Sequence, residues 1–306
     1  MTNPLLCNPV SGVCEIPDHV LSAGNEPLAS VSDGTPVDQI HITYFTDPIC
    51  STCWGIEPQL RKLKLEYGRS LTIDYRMGGL LPSWDVYNSG GISKPADVAH
   101  HWDEVSQHYQ MPIDGDVWLE DPLPSSYPPS VAFVAARYQS PEKAILFLRL
   151  IREMVFLHKK NITRWEHLAQ AASWVGLDVE RFRFDYEHSA IAGFEDDLAF
   201  AKRLGVRGFP TLFLETATRQ TKIYGFKPYS LFEEELHFLK PDIQKTAFMS
   251  PAMELFHKFR SLTTQEFAVI TGQNFASAEK ILSDWEKAGS IERVSSKNGF
   301  LWLSVN

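Results

Sequence analysis

Thr46-Asp47-Pro48-Ile49-Cys50-Ser51-Thr52-Cys53-Trp54-Gly55 places two thiols three positions apart, at the seam between a strand and a helix. Upstream, Ile40, Ile42, Tyr44 and Phe45 form a β-branched and aromatic run that reads as a buried strand ending at Pro48. Downstream, Ile56, Leu60 and Leu63 recur at helical spacing, so Cys50 falls at a helix N-terminus and Cys53 one turn inside. Free N–H groups and the positive end of the helix dipole favour an ionised thiol there. A thiolate attacks disulfides, and a second thiol within a turn resolves the mixed disulfide, so one pair supports a full exchange cycle. The spacing therefore assigns Cys50 as the exposed attacking thiol, with a lowered pKa, and Cys53 as the more buried resolving thiol. Half of a zinc site is the competing reading. It needs a second ligand pair at matching spacing, and the only other cysteines are Cys7 and Cys14.

Far along the chain, Gly205-Val206-Arg207-Gly208-Phe209-Pro210-Thr211-Leu212-Phe213-Leu214 sets a proline just ahead of an apolar strand, where it has no N–H to donate. Together with the dithiol, this resembles the thioredoxin superfamily, and the Gly-Val-x-Gly-x-Pro-Thr spelling is similar to its DsbA branch. The resemblance covers residues 38 to 240. It implies an α/β fold in which a thioredoxin-like sheet carries an inserted helical domain, at about 94–190. It also implies a cis Phe209–Pro210 bond facing the dithiol, with Phe209, Pro210, Ser51 and Thr52 contacting a bound chain. The Asp47 to Gly55 stretch resembles FrnE-like members. Gly115-Asp116-Val117-Trp118-Leu119-Glu120-Asp121-Pro122 resembles the YjbH-like adaptors, which hand a transcription factor to the ClpXP protease. Ser51-Thr52 replaces the Pro-His of DsbA, which removes a cationic partner for the thiolate and implies a less oxidising pair.

Two function classes follow. One is a thiol–disulfide oxidoreductase of the reductase or isomerase type, acting on protein or small-molecule disulfides with a cellular reductant and no cofactor beyond its dithiol. The other is an adaptor that presents a client protein to a protease. With 306 residues, 44% of them apolar, the chain has material for more than one domain. Its net charge of -9 argues against nucleic-acid binding as the main role. No apolar run approaches a membrane span. The first basic residue is Arg61, so no basic n-region opens the chain, and the reading is a cytoplasmic protein.

Residues 1–37 are rich in Pro, Gly, Ser and acidic residues, and read as a flexible arm. Cys7 and Cys14 within it can form a reversible disulfide, pass electrons to the main pair, bind a metal with His19, or be incidental exposed thiols. Leu71, Ile73 and Tyr75 read as a second strand, parallel to the first. The apolar Met77 to Trp84 loop then forms either a peptide-binding lip or a cover packed on the inserted helices. Among those helices, Ala144, Leu148, Ile151 and Val155 make a core stripe behind a Ser140-Pro141 cap, and Thr163 to Glu166 spells a capping box. Glu195-Asp196-Asp197 reads as the acidic first turn of a helix. Glu57 reads as a surface carboxylate or a proton relay for Cys53, and Pro58 is expected to kink the helix by removing one backbone hydrogen bond. Ser230 to Glu233 spells another capping box, opening the last helix of the unit.

The tail, residues 250–306, spells three short helices and a hairpin with Asn298-Gly299 in its turn, which resembles a winged helix. Lys258, Arg260, Lys280, Lys287, Arg293 and Lys297 are matched by Glu254, Glu266, Glu279, Asp284, Glu286 and Glu292. With no net positive charge, the tail points to protein docking or dimerisation rather than DNA. Apart from the Cys7, Cys14 and His19 alternative, no residue set in the chain spells a metal site.

Overall fold

The computed structural model describes residues 12–16, 39–87, 92–246 and 252–305. Its centre is the strand β2 (Ile40–Thr46), six of whose seven residues are buried. His41, Thr43 and Thr46 interrupt its apolar residues, and burial on both faces puts Ile42, Tyr44 and Phe45 alike in the core. β3 (Leu71–Met77) pairs with it in parallel, with Tyr44 opposite Tyr75. β5 (Thr211–Glu215) flanks it antiparallel, with Tyr44 opposite Leu212, and β6 (Gln220–Tyr224) closes the sheet in the order β3-β2-β5-β6.

Between β2 and β3 the chain makes α1 (Ser51–Gly55) and α2 (Glu57–Tyr67), interrupted at Ile56. Pro58 sits in the first turn of α2, where its missing N–H costs least, so the expected kink is instead an interruption between two helices just ahead of it. From β3 the chain runs through α3 (Pro95–Tyr109), α4 (Val117–Glu120), α5 (Tyr127–Gln139), α6 (Pro141–Leu157), α7 (Trp165–Trp174) and α8 (Val179–Glu187). It returns to the sheet along α9 (Ala190–Arg203). The Ser140 hydroxyl accepts from the Lys143 N–H and caps α6 as expected. α6 is more than a core stripe: Arg149, Arg152 and Glu153 are buried among its apolar residues.

Two expected capping boxes do not form. α7 starts at Trp165 behind Arg164, and Thr163 instead donates its N–H and hydroxyl to Asn161 Oδ1. α10 (Tyr229–Leu239) starts behind Pro228, which fixes its N-terminus two residues too early for Ser230 to cap it. The acidic triplet also shifts role. α9 begins at Ala190, so Asp197 lies two turns inside, wholly buried, and receives Arg76, Arg137 and the Met77 N–H. The Met77 to Trp84 loop packs inward: Leu80 and Leu81 are buried, Ser126 N–H donates to Leu81 O, and Trp84 Nε1 donates to Leu123 O. Of the two readings of that loop, the cover on the inserted helices is the one observed.

The tail folds as a 3-10 turn (Ala252–Glu254), α11 (Leu255–Lys258), β7 (Ser261–Thr263), α12 (Thr264–Thr271), α13 (Phe275–Lys287), β8 (Ile291–Ser296) and β9 (Gly299–Ser304). Its sheet order is β7-β9-β8, and the strand β7 escaped the sequence reading because it is three residues long. Leu255, Leu262, Phe267, Leu282, Ile291 and Trp302 give it a small core of its own. Two of its contacts with the sheet domain are clusters of charged and polar groups. Glu266 receives Arg61 at 3.1 Å and Arg149 at 2.5 Å. At the hairpin tip, Lys297 meets Asp103 and Asp116, each at 2.7 Å, while Asn298 Nδ2 donates to Asp103 and to Ile113 O. The tip of the wing is therefore occupied by the protein itself. Among the described residues, no helix is long and apolar enough to cross a membrane.

Candidate functional site

The site is built where β2 ends. Asp47 accepts from the N–H groups of Ile49 and Leu80 and from the Ser126 hydroxyl, tying the turn to the β3 loop and to α5. Its burial dominates these donors, and its pKa rises to about 6. Cys50 is the N-cap of α1, and its Sγ accepts from the Cys53 N–H at 3.1 Å. The cap geometry is the one the Cys-x-x-Cys spacing demands.

Across the sheet edge, Gly208 and Phe209 form β4, and the Phe209–Pro210 bond is cis. Phe209 fills the place a side chain would take at Gly78, whose added Cβ would fall 1.9 Å from the ring. The expected substrate contacts Ser51, Thr52, Phe209 and Pro210 are all buried. Thr52 Oγ1 lies 3.5 Å from both the Tyr109 hydroxyl and Cys14 Sγ, whereas the Ser51 hydroxyl is enclosed without a hydrogen-bond partner among the described residues.

The enclosure comes from the N-terminal segment, which corrects the expectation of a flexible arm for residues 12–16. β1 (Cys14–Glu15) pairs antiparallel with β4, Cys14 opposite Phe209 and Glu15 opposite Gly208. Ile16 N–H donates to Arg207 O, and Phe226 N–H donates to Gly12 O at 2.6 Å. Gly208 leaves the room this needs, since a Cβ there would lie 2.6 Å from Cys14 O. Val13 and Ile16 are buried. The rest of the expected arm, including Cys7 and His19, lies outside the described residues. Among the described residues, no group of three or more His, Cys, Asp and Glu gathers in metal-binding geometry.

Cys50 and Cys53 are both free thiols, and both are wholly buried. Cys50 is thus not the exposed, low-pKa thiol that its helix position suggests. Burial first, then the hydrogen bond and charge shared with Cys53, push it well above the usual thiol range. Cys53 is brought down in spite of its burial. The hydrogen bond with Cys50, the positive charge of Arg152 and the hydroxyls of Thr46 and Tyr44 all favour its ionised form. The pair admits one negative charge and resists a second.

Arg152 is the functional residue that the sequence reading missed. It is wholly buried on α6 and donates to Glu57 Oε1 and Thr46 Oγ1, each at 2.6 Å, and to Asp47 O at 3.1 Å. Against its own burial, Tyr44, Glu57 and the thiols keep it charged. Glu57 is accordingly neither a surface carboxylate nor a relay in contact with Cys53, but the counter-ion of this arginine. The available signal was an arginine set inside the apolar run of α6, since a buried cation demands an anionic partner. One position from Cys53, Trp54 stacks on Phe156 and lies under Arg149, whose guanidinium is 4.4 Å from its ring, so the dithiol helix also touches the ion network holding the tail.

Comparison with known proteins agrees with this architecture. A family model described as thioredoxin matches residues 44–234. A protein of Halalkalibacterium halodurans named ClpXP adapter protein SpxH is 33% identical, over 98% of this chain and 97% of its own length. Its namesake in Bacillus subtilis is 30% identical over 89% and 92% of the two chains. Among solved structures, the cytosolic disulfide reductase DsbM of Pseudomonas aeruginosa superposes with a TM-score of 0.53 at 23% identity, covering 65% of this chain and 99% of its own. The cover strand and the tail fall inside the first relationship, and the dithiol turn and the proline strand inside the family match. The chain belongs to the thioredoxin family and, within it, to the family of the SpxH proteins.

Proposed function

We propose that this chain is an adaptor that binds a client protein and brings it to a protease of the ClpXP type. The observation that carries this reading is the extent of the likeness to proteins bearing the adaptor name, which runs over nearly the whole chain, tail included. The sealed dithiol supports it. A catalyst that turns over foreign disulfides needs an attacking thiol within reach of them, and Cys50 is covered on the side where a substrate strand pairs in this fold. The docked tail adds a rigid second surface, whose hairpin tip is committed to the protein rather than to nucleic acid.

A second reading, thiol–disulfide exchange with a protein or small-molecule disulfide, is favoured by one arrangement: a buried cation placed to stabilise a thiolate beside a capped Cys-x-x-Cys. The two separate in one experiment. Protein half-lives are compared in cells with and without the chain, and a protein that persists in its absence is then incubated with purified ClpXP and ATP. Tethering raises the client's local concentration, so the chain should accelerate degradation by about a hundredfold. The same acceleration by a Cys50→Ser, Cys53→Ser variant supports the adaptor. If no protein is spared in cells while wild type alone reduces insulin disulfides, the adaptor reading falls and the exchange reading stands.

A further inference from the structure

Three observations meet at Cys14. Its backbone pairs with Phe209, the position at which an extended chain would be held beside the dithiol. Its Sγ lies 3.2 Å from Cys50 Sγ, within the separation from which reacting atoms proceed without rearrangement. And Cys14 is disulfide-bonded, whereas Cys50 and Cys53 are free thiols. An oxidised sulfur is therefore held against a reduced pair inside one chain.

We propose that the Cys14 disulfide is the built-in partner of the Cys50–Cys53 dithiol, and that the two pass oxidising equivalents to one another within the chain. In the forward direction Cys50 Sγ attacks Cys14 Sγ. A Cys14–Cys50 bond forms, the former Cys14 disulfide breaks, and its other sulfur leaves, taking up the proton that Cys50 gives up. Cys53 then attacks Cys50, forming the Cys50–Cys53 disulfide and returning Cys14 as a thiol. Two electrons and two protons have moved from the core pair to the Cys14 disulfide, and no outside reactant is consumed. The strand that blocks foreign substrates is, in this scheme, the substrate. The chemistry is internal, so the scheme does not depend on the adaptor reading.

The full chain carrying Cys7→Ser and Cys53→Ser keeps only Cys14 and Cys50, and is oxidised with glutathione disulfide. Peptide mapping without reduction then reads which bonds form. The expected result is a Cys14–Cys50 bond within one chain, exceeding glutathione adducts by about a hundredfold because the two sulfurs are already positioned. Two further substitutions, each added to this variant, unseat β1 differently: Gly208→Ala crowds Cys14 O, and Val13→Asp places a charge under the strand. Each should lower the yield by roughly tenfold. Glutathione on both cysteines, or a Cys14–Cys50 bond formed only between chains, overturns the proposal. So does a yield untouched by both strand variants, since the bond would then owe nothing to the docked geometry.

Discussion

Arg152 Nη1 stands 2.6 Å from Glu57 Oε1, and the guanidinium making that contact is wholly buried. The pair links the middle of the inserted helices to the first turn after the dithiol helix, and its net effect on the thiols is a difference between cation and anion. Arg152→Met should raise the pKa of the first thiol to ionise by about one unit or more, because a nearby opposite charge shifts a titration by that much. It should also destabilise the protein by about 3 kcal/mol, since Glu57 is left without its counter-ion. Glu57→Gln should move the thiol the other way. Thiolate absorbance followed against pH reads both shifts, and superimposable curves for the two variants and wild type would remove Arg152 from the site's electrostatics.

Asp47 makes stability depend on pH with an unusual sign. Its folded pKa of about 6 lies above its ordinary 3.8, so the folded state holds a proton that the unfolded state has already lost. The associated stabilisation is complete below pH 3.8 and disappears as pH rises through 6, a span of about 3 kcal/mol. Asp47→Asn should abolish this dependence. At neutral pH it also trades a buried charge for an amide that opposes one of the three donors now met by the carboxylate. Urea unfolding of both proteins between pH 4 and 7 checks the difference. Parallel pH curves would show that Asp47 does not titrate in that window.

What was legible in the sequence was local. The strand, the Cys-x-x-Cys and the following helix are adjacent in the chain, and the Gly208-Phe209-Pro210-Thr211 stretch carries its own backbone restriction, so both could be read without knowing their neighbours. The residues that tune the site are another matter. Arg152 lies 95 positions from Glu57, and Asp197 lies 120 from the Met77 N–H it receives. Pairings of that range leave no period in the sequence. β1 was read as part of an arm because a two-residue strand is too short to show alternation, and its partner lies on the far side of the inserted helices.

Asp197 gathers both Arg76 and Arg137, with Arg137 forming two contacts at 3.0 and 3.1 Å. Removing it by Asp197→Ala leaves Arg76 with Asp74 alone, Arg137 with only the Tyr75 carbonyl and the Met77 N–H unmet at the end of β3, and should cost about 3 kcal/mol. Asp197→Asn keeps an acceptor for the Met77 N–H and should cost clearly less. The ranking is read from urea midpoints. If both variants lie within about 0.5 kcal/mol of wild type, the cluster is tolerant of the loss and does not organise that edge.

Glu266 and Lys297 fasten the tail at opposite ends, and the two contacts should behave differently. Glu266 is wholly buried. In spite of that burial, its pKa is held below the ordinary carboxylate value by Arg149 and Arg61, and its Oε2 also accepts from the Thr263 N–H at 2.7 Å. A lowered folded pKa gives stability that is present above 4.5 and lost as pH falls through the folded value. Glu266→Gln should therefore cost about 3 kcal/mol at neutral pH, where Arg61 loses its carboxylate and Arg149 keeps only Glu153, and little in acid. Lys297 is 37% exposed, so Lys297→Ala should cost less than about 1 kcal/mol, an effect that fades as sodium chloride is added. Unfolding followed at low and high salt distinguishes them. A salt-sensitive loss at Glu266, or a large salt-independent one at Lys297, would mean that the tail is held by the hairpin tip rather than by the buried carboxylate.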